Sequence, residues 1–336
     1  MPRITISGTG AVSPAGWGVP ALMEALDGGA RPEAGEIVRE IPGHEAVRTA
    51  VLRVPPAPAT LPKSPRLRRV SPVSKFAVAA AIEALGPERM ERVMAGEIRL
   101  GVICALMNGC VNYSNRFFGE VLADPAVASP ILFPETVFNA PSSHLSALFH
   151  STAPNDTLLG DTAEIYTALE VATEWLLRDD CDGVLVVVPE ELDWLSAEAL
   201  NLYAEGCLPA EGAAALYLEK DGEGPAITNI PDPVALGPGC DRAAALREVM
   251  AATGASDDGA TLLADSRSGV ARFDAAEPGW KGERFSVREV LGESFTASSG
   301  MQVVVAVEEL RRGRASRALV TTLGGNEQAA GCLLER

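Results

Sequence analysis

Histidine is nearly absent from this chain. Its 336 residues hold three, His44, His144 and His150, and none follows residue 150. Chemistry that needs an imidazole from the second half is therefore excluded. Cysteine is sparse and scattered, at positions 104, 110, 181, 207, 240 and 332. With no CxxC spacing among them, these read as reduced core thiols and not as a metal site. Positive charge is also scarce: 28 Lys and Arg stand against 45 Asp and Glu, a net charge of −17. That balance argues against nucleic-acid and anionic-membrane surfaces. No apolar run reaches the ~18–20 residues of a membrane helix. The N-terminus enters a strand directly, so no signal peptide is expected and a cytoplasmic location is. There is no P-loop, no HExxH and no Ser or Cys in a nucleophile elbow. GTGAVSPAG departs from G-x-G-x-x-G and places Pro14 where a helix would start, so it reads as a tight turn.

What is present alternates between strands and helices. Strands are predicted over 4–12, 99–109, 156–161, 182–190, 212–220, 224–230, 260–266, 316–326 and 327–336. Helices are predicted over 17–28, 74–85, 111–123, 144–150, 162–178, 241–253 and 299–313. Residues 30–65 are Pro-rich and irregular, with a possible strand at 47–54. The pattern implies an α/β fold with helices on both faces of its sheets. Each half opens on a strand and ends on a paired one, which suggests a duplicated architecture without a visible sequence repeat. LLGDTAEIYTAL (158–169) stands out as a strand running straight into a helix, a turn that carries the nucleophile in several α/β enzymes. Its tip holds Asp161, Thr162 and Ala163, with no thiol.

Several segments, in order, resemble one family. ITISGTGAVSPAGWGVPALMEALDGG resembles the opening of β-ketoacyl-acyl carrier protein synthases, which have the thiolase fold. RRVSPVSKFAVAAAIEAL is similar to their first long helix, and FNAPSSHLSALF to the segment before their central strand. EGAAALYLEK, ATLLADSRSGVARFDAAE, SFTASSGMQVVVAVEEL and VTTLGGNEQAAGCLLE resemble later pieces, the last with a closing GG-N loop. The resemblance implies an αβαβα sandwich of two duplicated halves. These would be residues 1–222, with a cap region at 109–150, and a shortened half at 223–336.

It also implies where a catalytic Cys and two His would stand. The aligned residues are Thr162 (Asp161 if the register slips), Ser266 and Glu293. A condensing enzyme needs a thiolate to carry the acyl chain and neutral donors for the enolate. Thr162 has no base, and Glu293 would be an anion where negative charge develops. In isolation Thr162 reads as the cap of its helix.

The resemblance is strongest in role to the chain-length factors of type II polyketide synthases. These silent subunits form heterodimers with an active ketosynthase. The family places the dimer contact at Thr157, Leu158 and Leu159, and a chain-length gate at Val111, Ser114 and Phe118. An acyl carrier protein would dock mainly on the partner. The basic stretch with Lys63, Arg66, Arg68 and Arg69 is the contact this chain could add. No cofactor and no metal are implied. Two alternatives remain open: a thiolase-fold acyltransferase or hydrolase with an altered site, and a homodimeric acyl-binding protein.

Overall fold

The structure, a computed structural model, describes residues 2–58, 65–325 and 328–336. Lys63, Asn326 of the closing loop, and the side chain of Arg66 lie outside the described residues. The first half contains strands β1 (Ile4–Ser13), β2 (Gly16–Trp17), β3 (Gly35–Arg39), β4 (Val47–Val51), β5 (Leu100–Leu106), β6 (Asn155–Leu159), β7 (Gly183–Glu190) and β8 (Gly212–Lys220). Its helices are α1 (Val19–Gly28), α2 (Pro72–Met94), α3 (Val111–Ala123), α4 (Ala140–Leu148), α5 (Glu164–Leu177) and α6 (Trp194–Tyr203). The second half contributes β9 (Ala226–Asn229), β10 (Val234–Ala235), β11 (Thr261–Ala264), β12 (Arg284–Phe285), β13 (Arg317–Leu323) and β14 (Gln328–Glu335). Its helices are α7 (Arg242–Ala252), α8 (Ala271–Asp274), α9 (Val287–Leu291) and α10 (Thr296–Arg312).

The duplication expected from the sequence is written in the strand order. One half runs β6-β5-β7-β8-β1 and the other β12-β11-β13-β14-β9. In each, the second strand of this order pairs parallel with the first and third, and the fourth runs antiparallel to the third and fifth. A single pair, Thr5 with Ala226, joins the two half-sheets. Helices α5 and α10 touch strands of both half-sheets and fill the layer between them. Helix α2 covers the outer face of the first half-sheet and α7 that of the second. The layers are therefore α, β, α, β, α, the thiolase-type sandwich. Among the described residues no helix is long and apolar enough to cross a membrane.

Two close approaches explain small residues in the sequence. A Cβ on Gly8 would stand 1.8 Å from the carbonyl oxygen of Ala84, and one on Gly10 2.0 Å from that of Ala80. Strand β1 thus lies directly against the alanine face of α2. In the central layer, a Cβ on Gly300 would meet Val188 at 2.1 Å, so α10 presses its glycine onto β7.

Element positions mostly follow the apolar pattern, but α8, β12 and α9 form within a segment read as irregular, and three further departures stand out. Helix α2 continues past residue 85 only after a break at Gly86, where φ is 68° and Pro87 restarts it. The β3–β4 hairpin lies within the Pro-rich stretch read as mostly irregular. Helix α6 was not predicted at all, although Asp193 and Ser196 form a reciprocal capping box at its start.

Candidate functional site

The ends of the parallel strands and the starts of the central helices face each other across a cavity of about 250 Å³. Buried carboxylates at the end of β7 brace the segments around it. Glu190 is fully buried and accepts from the backbone N–H groups of Met107 at 2.6 Å and Asn108 at 3.1 Å. It also accepts from the Thr296 hydroxyl at 2.6 Å, at the start of α10. One side chain thereby ties the end of β5 to the central helix of the other half. Burial raises its carboxyl to about 7 against these donors. Glu191 accepts from Val73 and Asn112 N–H, both at 2.9 Å, so one buried carboxylate satisfies donors at the starts of α2 and α3. Asp193 caps α6 and takes a bond from the Asn115 side chain. The run of acids EELD is thus a hub for helix termini.

The three positions singled out from the resemblance do converge. Thr162, Ser266 and Glu293 all line this cavity, as does Asp161. Their local bonding differs from expectation. Thr162 is not the cap of α5; that position falls to Ala163, with no side-chain bond. Asp161 organises the turn instead, its Oδ1 accepting from the Ala163 N–H at 2.9 Å. An aspartate two residues before an N–H is a local turn device, and it leaves the Thr162 hydroxyl without a bonded base among the described residues.

Ser266 is held on both sides. Its hydroxyl donates to Glu277 at 2.7 Å and accepts from the Leu323 N–H at 3.0 Å. Burial, helped by the nearby Asp265 charge, pushes the Glu277 carboxyl up. Glu293 is not the uncompensated anion that its position in the sequence implied. Arg288, only 2% exposed, meets it at 2.7 Å. The same guanidinium donates to Gln302 and Ser299, each at 2.9 Å. A largely buried Arg–Glu pair therefore lines this side of the cavity.

Arg288 was missed by sequence reasoning, as were Arg242 and Cys207, which also line the cavity. Cys207 is the one thiol of the lining, and burial raises it to about 12, far from a thiolate at neutral pH. No group of His, Cys, Asp or Glu suited to a metal ion occurs among the described residues.

The remaining predicted residues lie outside the cavity. Val111 and Ser114 on α3 are half-buried, and Ser114 donates to the Thr136 carbonyl at 3.3 Å and not back along its own helix. Phe118 is 60% exposed. Strand β6 forms the edge of the sheet, with Leu158 packed on the core and Leu159 turned out. Arg68 and Arg69 are exposed.

No family model matches this sequence, and no curated protein matches it either. Solved structures do match. The ishigamide ketosynthase/chain length factor superposes with a TM-score of 0.79 at 17% identity, covering 99% of each chain. A ketosynthase in complex with its chain length factor from Xenorhabdus doucetiae gives 0.79 at 13% identity, covering all of this chain and 98% of that one. A β-ketoacyl synthase from Burkholderia phymatum gives 0.74 at 17%, covering 100% of both. The likeness runs end to end and is one of fold: this chain has the thiolase-type fold of the ketosynthases.

Proposed function

We propose that the chain is a chain-length factor, a catalytically silent ketosynthase-like subunit of type II polyketide or related fatty-acid-type biosynthesis. It pairs with an active ketosynthase and shapes the acyl tunnel of the complex. The observation that carries this reading is the chemistry of the three converging positions. Thr162 has a hydroxyl without a base, Ser266 is bonded on both sides, and Glu293 is bound to Arg288. None offers a thiolate, an imidazole or a free donor for an enolate. Two of the matching structures are themselves described as ketosynthases with chain length factors, which agrees with the reading.

The surface supports a partner. Phe118, Leu122, Val127, Ile131 and Phe133 of the cap are all more than half exposed, as is Leu159 on the edge strand. An exposed apolar cap and a bare strand edge are features that a second chain covers. In this reading Thr157, Leu158 and Leu159 belong to the contact. Val111, Ser114 and Phe118 reach the partner's tunnel, so Ser114→Phe in the heterodimer is expected to shorten the product. Acyl carrier protein docks mainly on the partner, with Arg66, Arg68 and Arg69 as this chain's contribution. Residues 1–222 and 223–336 form its two halves, and no cofactor is required.

The test is incubation with acyl- and malonyl-carrier proteins, followed by intact mass spectrometry. The chain alone is expected to take no acyl group, and condensation is expected only with a co-expressed ketosynthase. An acyl adduct on Thr162 or Cys207 would instead make it an acyltransferase.

A further inference from the structure

We propose that Asp156 guards the free edge of β6, keeping it from pairing with a second copy of this chain and favouring a partner strand that brings a lysine or arginine against it. The inference rests on the reading above that β6 meets a partner, and it names the chemistry which that partner needs.

The ladder decides which backbone groups are free. Strand β6 is last in the sheet order and pairs, in parallel, with β5 alone among the described residues. The Val102 N–H donates to the Pro154 carbonyl at 3.0 Å, and the Gly160 N–H to the Leu106 carbonyl at 3.4 Å. In a parallel strand the N–H and C=O of one residue point the same way, and successive residues alternate. The even positions therefore serve β5, while Asn155, Thr157 and Leu159 turn their backbone groups to the open side. At the middle of that row the N–H is already taken: Thr157 donates it to Asp156 Oδ1 at 2.7 Å. A side chain that holds an outward N–H competes with an incoming ladder bond. Charge on an edge strand is a common guard against pairing.

The side chains alternate as well. Asn155 and Thr157 face α4, where the Asn155 amide donates to the Ser142 carbonyl at 3.1 Å and the Thr157 and Ser142 hydroxyls share a bond at 2.9 Å. Asp156 lies on the other face with Leu158, which packs on the core. Asp156 itself is exposed, and no cation pairs with it among the described residues. Antiparallel pairing of β6 with its own copy, in full overlap, sets Thr157 opposite Thr157 of the copy and Asp156 opposite Leu158. The two Asp156 residues are then diagonal neighbours on one face, about 7–8 Å apart. Each must release a Thr157 N–H to form the central pair of bonds, and neither finds a cation. Like charges so placed oppose the match. A partner strand with a lysine or arginine at that diagonal answers the carboxylate as it lets go of the N–H.

The test is sedimentation analysis of the full chain at micromolar concentration, with no ketosynthase present. The unmodified chain is expected to stay monomeric. Asp156→Asn keeps the acceptor oxygen without the charge, and is expected to self-associate at concentrations at least tenfold lower. Asp232→Asn removes the same charge from an exposed site in the second half, and is expected to change nothing. Asp156→Lys supplies the proposed cation. Mixed with the unmodified chain, it is expected to form 1:1 dimers at least tenfold tighter than either protein alone, and salt is expected to weaken them. All substituted positions are exposed, so folding is not at stake. An Asp156→Asn chain that associates no more readily than the unmodified one overturns the guard, as does an equal gain from Asp232→Asn. A mixture that pairs no better than its components overturns the preference for a cation. Acyl loading enters none of these readouts, so the guard can stand where the catalytic test fails, and the reverse.

Discussion

The two halves repeat one strand order, yet they treat its first strand in opposite ways. Strand β6 runs for five residues at the sheet edge and turns Leu159 to solvent, 53% exposed. Its counterpart β12 has two residues, and Arg284 there is bound to the buried Asp265, with a 2.6 Å bond from Nε. A short edge carrying an engaged charge resists pairing with another chain, whereas a longer one with an exposed leucine at its end invites it. The turns that follow differ as well. From β6 the chain enters α5 within a few residues, fixed by Asp161. From β12 it wanders through α9 and enters α10 at Phe295, whose φ of 52° is strained for a phenylalanine. The lesson is that duplication sets topology, while assembly and site chemistry reside where the copies diverge.

The comparison breaks most visibly at the edges. Leu159→Lys is expected to dissociate the assembly outright, read by light scattering after size exclusion. Phe285→Lys, at the equivalent strand, is expected to lower stability and leave the assembly intact. If Leu159→Lys remains assembled, the bare edge has no role in pairing.

The next effect is on stability. Removing Arg288 strands the Glu293 carboxylate inside the protein, which typically costs about 3–5 kcal/mol. Arg288→Met is therefore expected to lower denaturant stability by that amount, and adding Glu293→Leu to recover most of it. Thr162→Val at the other turn removes a hydroxyl that makes no hydrogen bond among the described residues, and is expected to cost less than about 1 kcal/mol. Equal losses at the two turns would contradict the difference drawn between them.

How much of this was legible beforehand depends on distance along the chain. Long apolar runs such as 182–190 and 212–220 identified their strands, because a buried strand needs little else. Order along the chain brought Thr162, Ser266 and Glu293 to one place. Arg288 carried no such signal: SVREVLGE looks like any charged surface helix, and its pairing with Glu293 arises only when α9 folds under α10. Glu190 and Glu191 likewise read as the polar end of a strand, since their partners at Met107, Val73 and Thr296 come from three remote segments. The capping box at Asp193 and Ser196 was a local signal for α6 that went unread. The role of Thr162 failed because a neighbouring aspartate took the turn.

Glu190 sharpens the comparison from the link between the halves. Its carboxyl titrates near 7 in the fold against 4.5 ordinarily. Between those values the native state keeps a proton that the unfolded chain has lost, so this group's contribution to stability falls as pH rises through 7. The span corresponds to about 3 kcal/mol at most. Glu190→Gln is expected to remove that pH dependence, visible in the difference between variant and wild-type denaturation from pH 5 to 8. It adds a fixed loss of its own, because an amide N–H would face the Asn108 N–H. A constant difference across that range would show that Glu190 does not titrate there.

The smallest expected effect is nil, and it bears on the turn where a nucleophile would stand. Thr162→Cys restores a thiol to that place, but a thiol reacts only as the thiolate. Three features favour a thiolate at such a turn: free helix N–H groups, a nearby cation and a base. Here the Ala163 N–H is occupied by Asp161, whose carboxylate adds negative charge next door. Of the two guanidinium groups in the same lining, Arg288 is bound to Glu293 and Arg242 donates to the Gly324 and Gly325 carbonyls, and no imidazole is within the second half at all. The thiol of Thr162→Cys is therefore expected to titrate at or above the ordinary ~8.5. Alkylation by iodoacetamide, followed against pH, measures this directly. Acyl transfer from carrier-bound thioesters is expected to stay at background in the same variant. Releasing the cation with a second change, Glu293→Gln, is expected to bring the midpoint down, because Arg288 then faces the cavity unpaired. A midpoint well below 8.5 in the single variant would mean that the turn still holds the field of a nucleophile site, and that only the sulfur had been lost.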